Sequence, residues 1–361
     1  MNTQNKDAVY IIAEAGVNHN GDRERAFELV DIAADAGADA VKFQTFDARK
    51  LASVKAPKAG YQKRTTDQSE SQLEMLKKLE LPREWHRDLL IHANKRGIDF
   101  LSTAFDGDSL DFLATLKIPL FKVPSGELTN GPLLWKFART GLPLVLSTGM
   151  ATLSEVEQGL AIIAHAKGHE REPASMEEVW KYWSQPDAQK LLVDSVTLLH
   201  CTSQYPTPLE EVNLRAMDTL KHAFGLAVGY SDHTEGLLVP VAAVARGAKV
   251  IEKHFTTDRS LPGPDHKASL EPAELREMVS RIRALEKILG DGRKAPHPTE
   301  WDTRLAAKQQ VVAARAIPAG QTFVRDDLTT ARCGAGLPAV LLWEKIGCPA
   351  SRAYEPGEII E

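Results

Sequence analysis

Two short strings supply the histidines most able to do chemistry. One is Gly229-Tyr230-Ser231-Asp232-His233-Thr234, the other Ile251-Glu252-Lys253-His254-Phe255. An apolar run ends in Ser231-Asp232-His233, a helical stretch follows from Gly236 to Arg246, and a second apolar run, Lys249 to Phe255, carries His254 near its end. Strand, crossover helix and parallel strand form a βαβ unit, which brings both strand ends to one side of a sheet. The two imidazoles are therefore expected to face one pocket. Two neutral imidazoles leave most of a metal's coordination sphere open to water or substrate, as a catalytic ion needs and a structural ion does not. A pair of loop histidines alone is commonplace, so the polar company around them has to decide.

That company is large. Glu14 and Asn18, Lys42 and Gln44, Thr103, Lys122 with Ser125 and Glu127, Ser147, Ser203 and Tyr205, and Ser231 all stand at the ends of short apolar runs. Chemistry gathered at the C-terminal ends of many strands is the habit of barrel enzymes and is not needed for stability. Lys42 and Lys122 each sit between apolar strand residues, which places an ammonium inside the barrel mouth, where it needs a partner. Either could simply be neutralised by Glu14 or Glu127. Two lysines beside several hydroxyls also make a receptor for a small phosphate ester of high charge.

These residues need a scaffold, and 361 residues suffice for a full (β/α)₈ barrel and a small extra module. A net charge of −5 with no basic run argues against a nucleic-acid partner. The cysteines, Cys201, Cys333 and Cys348, have neither metal nor disulfide spacing, which suits a reducing cytoplasm. The chain opens without the apolar core of an export signal, and no membrane-length apolar window follows.

Taken in order, the chain reads as strand then helix, eight times. The strands are expected at Val9–Ala13, Ala40–Phe43, Ile98–Leu101, Pro119–Val123, Pro143–Leu146, Val196–Leu199, the run ending in Ser231-Asp232-His233, and Lys249–Phe255. Helices are expected at Arg23–Ala36, closing at Gly37, at Gln72–Leu79, Arg83–Arg96 and Leu133–Arg139, then one running to His165 with Thr152 or Ser154 as its N-cap, and at Glu210–Ala223 and Pro272–Leu289. The excursion from Asp47 to Ser69 reads as an active-site lid, and Gly168–Asp194 as an insertion on the rim opposite the site. This gives a (β/α)₈ TIM barrel over residues 1–290, a polar, proline-bearing linker over 291–307, and a small β-rich domain over 308–361.

Once these strings are assembled, the sequence resembles the sialic acid synthases, which join phosphoenolpyruvate to an N-acetylated amino sugar. The likeness covers almost the whole chain through IIAEAGVNHNGD, AVKFQTF, FKVPSGE, LSTGM, LLHCTSQYPTP, GYSDHTEG, IEKHFT and PGPDHK, followed by an antifreeze-like (SAF) terminal domain. It implies a domain-swapped homodimer, with manganese or magnesium held by His233 and His254. It also implies that Lys42, Thr103, Lys122, Ser125, Ser147, Ser203 and Ser231 hold phosphoenolpyruvate, and that Glu14, Gln44, Tyr205 and Asp265 hold the sugar. Glu127 would be the acid or base near the enol carbon, and Arg332 would arrive from the second subunit. The chain departs from the neuraminate-forming pattern at Ser203, where Asn is usual, and at Cys333, where Pro is usual.

The wording of AEAGVNHNGD, PSGELTNGPL and LPGPDHKASLEP is similar to that of the subgroup using 2,4-diacetamido-2,4,6-trideoxymannose to make N,N'-diacetyllegionaminate. The runner-up is N-acetylmannosamine, giving N-acetylneuraminate. From other classes come a non-enzymatic carbohydrate-binding protein and a pyruvate aldolase using a Schiff base on Lys42 or Lys122. His19, His86, His92, His165, His169, His200 and His222 are read as structural or surface residues, and nothing in the sequence places His266.

Overall fold

The computed structural model describes residues 8–53, 56–58, 60–67 and 70–361. They divide into two compact units, 1–290 and 291–361.

The first unit is a ring of eight parallel strands: β1 (Tyr10–Gly16), β2 (Ala40–Thr45), β3 (Asp99–Ala104), β4 (Phe121–Val123), β5 (Leu144–Ser147), β6 (Val196–His200), β7 (Ala227–Asp232) and β8 (Val250–His254). Hydrogen-bonded neighbours run β3-β2-β1-β8-β7-β6-β5-β4, and β3 lies against β4, so the ring closes. The expected (β/α)₈ architecture is the one observed.

The period-two pleat separates two cores. Ile11, Ala13, Val41, Phe43 and Ile251 point outward to the helices, in the large core of the unit. Ile12, Ala40, Leu101, Leu120, Val145, Leu199 and Val250 point inward and fill the barrel floor. Two residues further along the inward face, the same strands carry Glu14, Lys42, Thr103, Lys122, Ser147 and Glu252. The charged layer thus rests on a plug of aliphatic side chains.

Several helices match their expected bounds, among them Arg23–Ala36, Gln72–Leu79, Arg83–Arg96 and Pro272–Leu289. Thr152 caps its helix in a reciprocal box with Glu155. Three expectations need correction. Most strands run one to three residues past the expected ends, because Glu14, Gln44 and Thr103 belong to the pleat and not to the loops after it. The helix expected at Glu210–Ala223 is a 3₁₀ turn, Leu209–Glu211, followed by a helix over Arg215–Phe224; Asn213, with φ of 46°, separates them. A helix at Gly107–Ala114, N-capped by Asp106, follows β3 where none was singled out.

The excursion read as a lid forms helices Ala48–Leu51 and Gly60–Thr65; its residues 54, 55, 59, 68 and 69 lie outside the described residues. The insertion forms helices Met176–Trp183 and Pro186–Lys190. Because it lies between a helix end and the start of β6, it belongs to the N-terminal face of the barrel, away from the strand ends.

In the second unit, the stretch read as a linker contains a short helix, Trp301–Ala307. Beyond it, β9 (Gln309–Ala313) and β10 (Leu328–Arg332) pair antiparallel over a small core of Val311, Ile317, Phe323, Leu328, Tyr354 and Ile360. The buried Asp327 carboxylate ties its turns together, accepting from Arg315, Gln321 and the Val324 amide.

Candidate active site

Strand register sets the site. Glu14 is level with Lys42 on one side and with His254 on the other, and Ser231 is level with Glu252. Lys42 Nζ lies 2.7 Å from Glu14 and 3.4 Å from Glu252, and donates to Thr103 Oγ1 at 3.0 Å. Lys122 Nζ lies 3.2 Å from the same Glu252, which also accepts from Ser231 Oγ at 2.8 Å. Glu252, on β8, therefore holds together groups from β2, β4 and β7.

The electrostatics follow from burial and pairing. Burial alone would lower the Lys42 pKa, but Glu14 and Glu252 outweigh it and the ammonium is held more firmly than usual. Burial likewise pushes Glu252 upward, yet Lys122 and Lys42 reverse the effect and keep it ionised. Glu14 goes the other way: burial dominates, and its carboxyl sits above the usual range.

His233 and His254 do come together, with ring centroids 5.5 Å apart. Tyr205 stacks on His233 at 4.1 Å and stands edge-on to His254 at 5.6 Å. His233 Nδ1 donates to the Thr202 carbonyl at 2.8 Å, which leaves Nε2 with its lone pair free. Burial lowers the His233 pKa to about 4 and drives His254 well below its ordinary value, so both rings are neutral. His254 Nδ1 is buried and has no hydrogen-bond partner among the described residues, and Asp265 Oδ2 lies 3.8 Å away. Among the described residues no group of three or more His, Cys, Asp or Glu side chains is arranged to hold a metal. Two neutral rings, one with an orphaned nitrogen, do fit a divalent ion completed by water or substrate.

Above this layer opens a cavity of about 430 Å³. Gln44, Ser125, Ser203, Tyr205, His254 and Asp265 all line it. Burial, then the neighbouring Glu14, raises Asp265 to about 7. Two glycines make room. Gly16, at φ of 53°, interrupts the β1–β2 register, and a Cβ there would press on Gln44, Glu14 and the His254 ring at once. At Gly149 a Cβ would lie 2.4 Å from Ser203 Oγ and 2.8 Å from Ser125 Oγ; instead the Gly149 amide donates to Ser125 Oγ at 3.0 Å. Nearby, Ser147 Oγ is buried and has no hydrogen-bond partner among the described residues.

One expected site residue stands apart. Glu127 lies in the 3₁₀ turn Ser125–Glu127, where its carboxylate accepts from Asn130 at 2.6 Å, and it does not line the cavity. Arg332 is exposed at the end of β10 in the second unit. His266 pins a loop through Thr256 at 2.7 Å and Asn20 at 3.2 Å. One central residue was missed: Glu252. Its signal was there, since it lies two positions before His254 in a strand and so faces the same way.

Fold and site together define a barrel whose strand-end mouth is polar and charged, the setting of barrel enzymes. The chain belongs to the NeuB family, whose sequence pattern it carries over residues 29–294. It is 47% identical over 350 residues to the N,N'-diacetyllegionaminic acid synthase of Campylobacter jejuni, covering 97% of this chain and 98% of that one. To the Legionella pneumophila protein of the same description it is 47% identical over 328 residues, 91% of this chain and 86% of the other. The crystal structure of the N-acetylneuraminic acid (sialic acid) synthetase of Leptospira borgpetersenii superposes with a TM-score of 0.68 at 34% identity, over 82% of this chain and 90% of that one. Among the described residues, no helix is long and apolar enough to cross a membrane.

Proposed function

We propose that this protein is a synthase that condenses phosphoenolpyruvate with 2,4-diacetamido-2,4,6-trideoxymannose, giving N,N'-diacetyllegionaminate and phosphate. The observation that carries the reading is the near full-length 47% identity to two N,N'-diacetyllegionaminic acid synthases. The site geometry is compatible with it. The Lys42 and Lys122 ammonium groups and the hydroxyls of Thr103, Ser125, Ser147, Ser203 and Ser231 receive the carboxylate and phosphate of the enol ester, holding its carbon in line before any bond forms. Gln44, Tyr205, Asp265 and Glu14 meet the sugar.

His233 and His254 would hold a divalent cation, manganese or magnesium, which when bound supplies Lewis-acid polarisation of the open-chain sugar's aldehyde oxygen. The enol carbon of phosphoenolpyruvate forms the new bond to the aldehyde carbon with the electron pair of its C=C bond, and the aldehyde oxygen takes up a proton from solvent. Water then adds to the cationic former enol carbon and gives its proton to a carboxylate, with Glu14, which the barrel mouth holds beside Lys42 and His254, in that role. Phosphate leaves by cleavage of the C–O bond, taking the bonding pair and the proton of the new hydroxyl, and the 2-keto acid remains. The chain is proposed to act in the cytoplasm as a homodimer, with Arg332 of one subunit reaching the sugar bound to the other.

The test is phosphate release from phosphoenolpyruvate with purified protein and each sugar. Turnover with the 2,4-diacetamido sugar and a poorer kcat/KM with N-acetylmannosamine is expected. Preference for N-acetylmannosamine would move the assignment to a neuraminate synthase. Binding of both substrates without phosphate release would leave a carbohydrate-binding protein.

A further inference from the structure

The cavity at the barrel mouth has two unlike sides. The polar side consists of Gln44, Ser125, Ser203, Tyr205, His254 and Asp265. The same cavity is lined by an apolar wall of Val17, Phe46, Met75, Leu76, Leu79 and Phe105, with the side chains of Gln62 and Gln72 beside it. These side chains belong to an apolar cluster separate from the barrel cores, in which Phe46 and Phe105 meet edge to face at 6.0 Å. The wall comes from the exits of β1, β2 and β3 and from helix Gln72–Leu79, whose 75, 76 and 79 positions share one face. At its edge, Gln72 and Gln62 bond through their carboxamides at 3.5 Å.

A subsite for a fully hydroxylated sugar end would present hydrogen-bonding groups there. Against the six hydrocarbon side chains of this wall a hydroxyl loses its water and gains no partner except where it reaches the carboxamides at the edge, whereas a methyl group loses nothing. The sugar's orientation follows from the chemistry. Its aldehyde carbon must meet the enol carbon on the polar side, so the opposite end of the open chain reaches across the cavity. Resting on the synthase reading above, we infer that the wall formed by Val17, Phe46, Met75, Leu76, Leu79 and Phe105 seats the C6 methyl group of a 6-deoxy amino sugar. C6 is then a position at which this chain selects its substrate, independently of the acetamido group at C4. An apolar pocket discriminates against an added hydroxyl by about 10- to 100-fold.

The experiment separates C6 from C4 with three sugars: 2,4-diacetamido-2,4,6-trideoxymannose, N-acetylmannosamine, and N-acetylmannosamine lacking only the 6-hydroxyl. Wild-type enzyme should use the 6-deoxy N-acetylmannosamine with a kcat/KM about 10- to 100-fold above that of N-acetylmannosamine. Leu76→Asn, at a half-buried wall position, should bring that ratio towards one while leaving the KM for phosphoenolpyruvate unchanged; Leu76→Met should keep the preference. Phe105→Tyr, which adds a single hydroxyl to the wall, serves as the second variant and should also lower the ratio. Equal use of the two N-acetylmannosamines by wild type, or a ratio unmoved by both Leu76→Asn and Phe105→Tyr, overturns the assignment of the wall alone. Phosphate release with none of the three sugars overturns the synthase reading and the wall's assignment with it.

Discussion

Lys253 donates to Asp232 at 2.6 Å, and neither side chain reaches solvent. The pair lies on the outward face of β8 and β7, one residue from His254 and His233. Asp232 also accepts from the amide and hydroxyl of Thr234, whose carbonyl is bonded by Lys253. The ends of both strands are thereby fastened behind the rings that face the pocket. A buried pair broken on one side leaves an uncompensated charge, so Lys253→Met should destabilise the barrel by about 3–5 kcal/mol in urea unfolding. Replacing both residues, Asp232→Leu with Lys253→Met, should recover most of that loss.

The two imidazoles are proposed to serve substrate chemistry and not folding. His233→Ala and His254→Ala should each abolish phosphate release while the circular dichroism spectrum stays that of wild type. EDTA should stop turnover, and added manganese should restore it. Borohydride with pyruvate should trap no adduct: a Schiff-base lysine needs a depressed pKa, and Lys42 is shifted the opposite way.

Much of this was legible in the sequence because the barrel writes its pattern locally. Apolar runs ending in polar residues gave all eight strands, the stop at Gly37 marked one helix end, and Thr152 was one of two candidate caps for another. Pairing was less legible. Lys42 and Lys122 were visible as inward ammonium groups, but their common partner Glu252 comes from a strand more than a hundred residues away, and only the closed ring makes them neighbours. The break at Asn213 was hidden because Leu209 to Phe224 keeps a helical apolar spacing on both sides of it. The apolar wall of the cavity was invisible for a similar reason: its members come from three strand exits and a helix.

Glu252 offers a test of the anion receptor. Glu252→Gln leaves Lys42 with Glu14 alone and removes the carboxylate beside Lys122. The loss should cost roughly 3 kcal/mol of stability, since buried charge goes uncompensated. Phosphoenolpyruvate, itself an anion, can make up the deficit. Its addition should raise the melting temperature of the variant by more than it raises that of wild type. A smaller rise would show that the two ammonium groups do not hold the ligand.

Arg332 is exposed, and among the described residues it makes no ion pair. Arg332→Ala should raise the KM for the sugar more than that for phosphoenolpyruvate. If the arginine serves the neighbouring subunit, mixing inactive His233→Ala chains with Arg332→Ala chains should restore activity, since each mixed dimer then holds one complete site. Failure to complement would place Arg332 outside the partner's site.

His86 provides the pH test, well away from the catalytic layer. It is fully buried, with Nδ1 donating to the Pro82 carbonyl at 3.0 Å and Nε2 accepting from Thr45 Oγ1 at 2.7 Å. Burial holds its pKa down at about 4, against 6.5 for a free histidine. Between those values the unfolded chain binds a proton that the folded chain refuses, so stability is fully present above pH 6.5 and is lost as the pH falls towards 4. The loss attributable to this ring is up to roughly 3 kcal/mol. Urea unfolding of wild type should show the decline, and His86→Gln should flatten it by about that amount even if its stability at neutral pH is lower. A variant whose stability falls as steeply as wild type between pH 6.5 and 4 would mean that the folded protein accommodates the imidazolium.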